Sequence, residues 1–270
     1  MPIASPAELR LAARRGVWQG STAGHCPGYH QANLVILPAH VAAEFAAFCT
    51  RNPIPCPLLE VTPPGDPVPA GCAPEADLRT DLPGYRVYRQ GKLAERRGDI
   101  RDLWSDDLVA FLLGCSFTLE HALAEAGVAL RNVERGTTVP MFISDVACIA
   151  AGRFHGPMVV TMRPIAVSKV GRVRALSARY PLAHGAPIHV GNPHAIGIDR
   201  LDRPDYGDPV PIGPDEVPVF WGCGVTPQAV AERACVPLMI THEPGQMFLT
   251  DIPREGSRFL PRIGLEQTES

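Results

Sequence analysis

Val217-Pro-Val-Phe-Trp221-Gly222-Cys223-Gly224-Val225-Thr226-Pro227-Gln-Ala-Val-Ala-Glu232 reads as a strand, a tight turn and a helix. The first five residues are apolar and suited to a buried strand. Thr226 is placed as N-cap and Pro227 as the first helical residue, while the glycines let the backbone close on a ligand. A second Gly-Cys step, Phe111-Leu-Leu-Gly114-Cys115-Ser116, likewise joins an apolar run to the start of a helix. A strand-to-helix turn offers free N–H groups and the positive end of a helix dipole, so it suits a carboxylate and biases a thiol toward thiolate. A glycine-rich step of this kind is equally compatible with a plain tight turn.

Working outward, Val139 to Ile143, Met158 to Met162, Ile188 to Val190 and Leu238 to Thr241 are short, apolar and bounded by Gly or Pro, and several are expected to share one sheet. Near the start, Ser5, Pro6, Glu8 and Gly16 spell a capping box, a helix and its stop. A helix is expected from Pro38 to about Thr50, with Val41, Phe45 and Phe48 on its inner face. Prolines recur from Asn52 to Pro83 and forbid regular helix there. Tyr85 to Tyr88 reads as a strand. Ser105 is read as the cap of a helix from Asp106 to about Leu113, and Ser116 or Thr118 as the cap of the next. No long repeat is visible. The pattern predicts an α/β protein: a mixed-sheet α/β body (1–135 together with 216–270) and a second, smaller α+β lobe (136–215).

Composition narrows the function classes. A chain of 270 residues that is 46% hydrophobic can bury a sizeable core. A formal charge of −3 supplies no basic field for phosphate backbones, so nucleic acid is not expected as a partner. No apolar run reaches membrane-spanning length and the first residues lack the apolar core of a secretion signal, so the expected location is the cytoplasm, away from any membrane. The eight cysteines contain no C-x-x-C spacing, which argues against disulfides and structural zinc; Cys49, Cys148 and Cys235 are expected to be buried thiols.

His184, His189 and His194 recur at intervals of five, a spacing that scatters side chains on either a strand or a helix, so no metal site is expected from them. Each reads either as a loop general base or as a histidine satisfied by hydrogen bonding. Arg163, before Pro164, is placed at a strand end, where a guanidinium can grip a carboxylate at two points or form a surface ion pair. Glu120 could face a ligand or pair with a neighbouring base, and His242 reads as a strand-end imidazole or, more simply, as a turn residue.

Gln31-Ala-Asn-Leu34, Phe48-Cys49 with Asn52-Pro53 and Cys56-Pro57, Gly114-Cys-Ser-Phe117, His184-Gly-Ala-Pro187, Phe220-Trp-Gly-Cys-Gly-Val-Thr-Pro227 and Thr241-His-Glu-Pro-Gly245 together resemble the hydro-lyase family related to D-glutamate cyclase. The resemblance is collinear from about Gly20 to Asp251. It implies an enzyme without a cofactor that removes water from D-glutamate or a related acidic amino acid to give 5-oxo-D-proline. Such chemistry needs a carboxylate clamp, a base for the ammonium and an acid for the departing oxygen. Joined to the residues, this assigns Arg163 to the α-carboxylate, the N–H groups of Gly224, Val225 and Thr226 to the oxyanion, and His189 to the base. Cys223 becomes the acid or a transient acyl carrier. Cys115 is a second catalytic candidate, and Ser116 and His184 are candidate substrate contacts. Two rival readings remain: a cofactor-independent racemase using Cys115 and Cys223, and a non-catalytic carboxylate-binding protein. A homodimer is the default expectation.

Overall fold

The computed structural model describes residues 5–255 and 261–265. In chain order the elements are α1 (Pro6–Arg14), β1 (Tyr29–Pro38), α2 (Ala39–Arg51), β2 (Leu58–Val61), β3 (Tyr85–Arg89), β4 (Lys92–Arg97), β5 (Leu108–Gly114), α3 (Phe117–Glu125) and α4 (Arg131–Glu134). They continue as β6 (Met141–Ala147), β7 (Pro157–Ala166), α5 (Val170–Ser177), β8 (His189–Val190), β9 (Glu216–Gly222), α6 (Val225–Arg233), β10 (Leu238–His242), β11 (Phe248–Pro253) and β12 (Arg262–Ile263). The larger sheet runs β12-β2-β5-β1-β10-β3-β4, with β11 also on β1, and is mixed because β12 lies parallel to β2. The smaller, antiparallel sheet runs β6-β7-β9-β8. β9, which follows the 136–215 stretch, is thus an inner strand of the smaller sheet.

Strand alternation explains the core. Val35, Leu37, Val109, Phe111 and Leu113 of β1 and β5 join Phe45 and Phe48 of α2 and Val160, Met162 and Phe220 of the smaller sheet in one cluster. Leu34, Ile36, Ala110 and Leu112 point to the other face and a second cluster with Tyr85, Val87 and Phe248. Both strands are therefore buried on two sides and read as unbroken apolar runs.

That is also why residues 106–113 do not form the expected helix. A short apolar run fits either structure, and here β5 pairs along its whole length with β1 and also with β2. Ser105 does not cap a helix; its hydroxyl donates to the Asp107 carboxylate at 2.6 Å. The capping box of α1 forms as the sequence predicts, with Ser5 and Glu8 exchanging bonds.

A repeat that the sequence hides appears in the pairing. Ala32 stands opposite Gly114 in β1–β5, and Val160 opposite Gly222 in β7–β9. At one end of each pair a cysteine N–H donates across, Cys115 to the Gln31 carbonyl (3.0 Å) and Cys223 to that of Val159 (3.1 Å). At the other end Ala39 N–H donates to Asp107 and Val167 N–H to Asp215. A helix follows each first strand (α2, α5), a short strand flanks each second (β2, β8), and a helix follows each turn (α3, α6). Strand exchange ties the halves together: β6 pairs with β7, and β11, after the second unit, pairs back on β1.

The register also places Pro164 opposite Pro218. Bonds at Cys223–Val159 and Val167–Asp215 make the odd-numbered β7 residues the bonded ones, so two facing prolines remove no bond between these strands. Pro164 therefore does not stop the strand, and Arg163 sits within it.

Candidate functional site

The two Gly-Cys turns are built alike. At the second turn the thiol sulfur accepts from the first helical N–H, of Val225, at 3.5 Å, and at the first turn the Phe117 N–H likewise pulls the Cys115 thiol down. The threonine three residues after the cysteine closes the turn: Thr118 N–H donates to Cys115 O (3.2 Å) and Thr226 N–H to Cys223 O (2.9 Å). Their hydroxyls then clamp the neighbouring strand, Thr118 Oγ1 accepting from Gln31 N–H at 3.1 Å and Thr226 Oγ1 from Val159 N–H at 3.0 Å. Thr226 is thus not the N-cap expected; α6 begins at Val225, with Gly224 before it, and Pro227 is not its first residue.

The glycines are required by the opposite half. A Cβ on Gly114 would collide with the Leu182 carbonyl, and one on Gly222 would stand 2.9 Å from Ile54. Gly224 packs against the Asn33 amide, whose Nδ2 donates to Gly114 O at 2.9 Å. Asn33 therefore pins one turn directly onto the other.

Between the turns lies a buried ion pair. Arg163 Nη2 donates to Glu120 Oε1 of α3 (2.5 Å) and to Ser116 Oγ (3.3 Å), Nη1 donates to Thr161 Oγ1 (3.1 Å), and the guanidinium lies 5.5 Å from the Trp221 ring centroid. Asn132 Nδ2 adds a bond to Glu120 at 3.4 Å. Arg163 is 1% exposed. The expected strand-end guanidinium, open to a ligand, is instead an interior one committed to Glu120; its Nε is buried and has no partner among the described residues.

The expected bias toward thiolate is overturned. Burial pushes the Cys223 thiol up to about 11 and Cys115 to about 12, outweighing the N–H bonds and the Arg163 charge that pull them down. Cys115 is raised further by Cys223 and Glu120. Both are protonated at neutral pH.

The histidines separate. His184 is buried beside this cluster, its Nδ1 2.8 Å from Ile54 O, and burial followed by the Arg163 charge lowers it to about 4. His189 stands on β8 with Nε2 2.7 Å from Asn192 O and its ring against Phe220, apart from the thiols. His194 is exposed beside Asp199. His242 is not a turn residue but the buried end of β10, accepting at Nδ1 from Leu34 N–H at 3.2 Å and lowered by burial to about 4. Cys49 and Cys148 are buried as expected, whereas Cys235 is exposed just past α6 at φ +49°. All eight thiols are free. Among the described residues no group of three or more His, Cys, Asp or Glu side chains is placed to hold a metal ion, and no helix is long and apolar enough to cross a membrane.

The structure thus brings Cys115, Ser116, Arg163, His184, Cys223 and Gly224 together and leaves His189 outside. Sequence reasoning missed Asn33, Thr118, Thr161 and Asn132, and left Glu120 undecided. The signal that would have found Thr118 was in plain view: Gly-Cys-x-x-Thr occurs at 114–118 and again at 222–226.

Comparison with known proteins sets this site in a class. The D-glutamate cyclase family model matches residues 109–251, which contain both turns, Glu120 and Arg163. A protein of Rubrobacter xylanophilus is 59% identical over 91% of this chain and 95% of its own length. One of Geobacillus kaustophilus is 55% identical (93% and 95%), and one of Bacillus subtilis 51% identical (93% and 98%). Each of the three bears the name "putative hydro-lyase". The protein is a lyase of the hydro-lyase class. The chain belongs to the D-glutamate cyclase family.

Proposed function

We propose that the protein converts D-glutamate to 5-oxo-D-proline and water at the Cys223 turn. The amine nitrogen attacks the γ-carboxyl carbon; a C–N bond forms and a C–O bond breaks. Two protons leave the ammonium nitrogen, and the departing oxygen takes up two to leave as water. The observation that carries this reading is the meeting of the twin Gly-Cys turns around the Arg163–Glu120 pair, inside the stretch matched by the family. A thiol still protonated at neutral pH suits the general acid better than an acyl carrier, so Cys223 is assigned the proton for the departing oxygen. Arg163 and Glu120, bonded to each other, serve as positioning residues that fix α3 against β7 and set the field at both thiols. The Val225 N–H, at the Cys223 sulfur, orients the thiol. His189, whose Nε2 is taken up by the Asn192 carbonyl, is not assigned the role of base.

The test is incubation of the purified protein with D- and L-glutamate and with both 5-oxoprolines, followed by chiral chromatography. Formation of 5-oxo-D-proline from D-glutamate alone supports the reading; no product from either enantiomer overturns it. The twin thiols favour one rival, a two-thiol racemase. That reaction would place solvent deuterium at the α-carbon in D₂O, whereas cyclisation leaves the C–H untouched.

A further inference from the structure

The two halves differ in what fills the space beside the helix that follows each turn. Next to α6 a cavity of about 310 Å³ opens toward β6 and the start of β7, with Val159, Ala229, Glu232, Arg233, Tyr206 and Ile143 among its walls. Val159 and Ala229 also pack with Cys223. In the other half the equivalent positions carry larger polar groups. Gln31 stands for Val159, with its amide bonded to the Thr22 and His25 carbonyls, and His121 stands for Ala229, under the field of Arg254.

The cavity carries one charge of each sign. Arg233 is exposed and enters no ion pair among the described residues. Glu232 accepts at Oε1 from Gln228 Nε2 (3.1 Å), with the Tyr88 phenol beside it, which fixes its carboxylate at the cavity wall. A volume near 300 Å³ is at the lower end for small-molecule sites. A guanidinium and a carboxylate in the walls of one cavity complement the two charges of an amino-acid zwitterion.

We infer that this cavity is the amino-acid subsite: Arg233 binds the α-carboxylate, Glu232 binds the ammonium, and the acidic side chain of the ligand reaches past Val159 and Ala229 toward the Cys223 thiol. The assignment rests on the reading of Cys223 as the reacting turn. It supplies the carboxylate clamp that Arg163, bonded to Glu120, does not offer, and it places a carboxylate beside the amine that must lose protons.

Calorimetric titration of the full chain with D-glutamate tests it, using Arg233→Gln, Glu232→Gln and Ala229→Leu. Arg233 is exposed and Glu232 and Ala229 are half-buried on α6, and circular dichroism checks that each variant keeps its fold. The expected result is binding weakened about tenfold or more by either charge change, the loss of one charge-assisted pair, and abolished by Ala229→Leu. Unchanged affinity in folded variants overturns the assignment, as does the absence of binding to the unaltered protein. Turnover is read separately by chromatography. Binding that follows these variants without formation of 5-oxoproline would refute the reaction and keep the subsite. Turnover with KM unchanged in all three would refute the subsite and keep the reaction.

Discussion

The Cys115 and Cys223 turns share a backbone and differ in what surrounds it. In both, glycine admits the opposite half of the molecule, the cysteine N–H begins the strand pairing, and a threonine clamps the neighbouring strand. Yet the first turn continues into Ser116, Glu120 and His121, and the second into Gly224, Gln228 and Ala229. Glu120 reaches across to Arg163, whereas Gln228 donates to the Tyr88 hydroxyl at 2.8 Å. The lesson is that the repeated backbone fixes where a thiol stands, and side chains decide whether a ligand can approach it. A cavity opens beside the helix of the second turn, against which its cysteine packs through Val159 and Ala229.

The comparison can be broken at several points. The largest effect is expected at the cross-half ion pair. Arg163→Met strands the Glu120 carboxylate in the interior and should cost about 3–5 kcal/mol in denaturant unfolding, while adding Glu120→Gln should restore part of the loss. Equal destabilisation by the single and the double variant would show that the pair itself is not what matters. Next come the twin clamps. Thr118→Val and Thr226→Val each leave a buried strand N–H without its acceptor, at a cost of about 1–3 kcal/mol. If the turns are structural equivalents, the two losses agree to within about 1 kcal/mol; a cost at one site only would deny the equivalence. The smallest effect concerns pH. Because burial holds the Cys223 thiol protonated, the acid is present at neutral pH and is lost only as pH rises through about 11. The rate therefore carries no alkaline limb near the ordinary thiol value, and a fall centred near pH 9 would mean that the thiol is not held in this environment.

Much of this architecture could be read from particular residues. The capping box at Ser5 and Glu8, the helix after Pro38 and the strand-turn-helix from Val217 to Glu232 all carry local signals; the elements form as those signals direct, although α6 starts two residues before Pro227. Local signals misled where tertiary packing decides. Leu108–Gly114 is apolar throughout because both faces of β5 are buried, so its periodicity could not separate strand from helix. Pro164 looked like a strand end, but its place opposite Pro218 is set by pairing with a segment more than fifty residues away. Outside Gly-Cys-x-x-Thr the halves agree in hydrogen bonding rather than in residue type, which hides the repeat: Val35 occupies the place of Arg163, and Gln228 that of Glu120. At the site, cysteine and glycine spacing located the turns. The burial that sets the thiols' ionisation, and the Glu120 partner that occupies Arg163, depend on α3 and β7 meeting in space.

The asymmetry of the two turns is tested most directly by D-glutamate turnover in Cys223→Ala and Cys115→Ala, each checked for an unchanged circular dichroism spectrum. The account predicts a loss of at least about 100-fold for Cys223→Ala, the scale of a lost general acid, and less than about tenfold for Cys115→Ala. Full turnover in Cys223→Ala, or equal losses in the two variants, would contradict it.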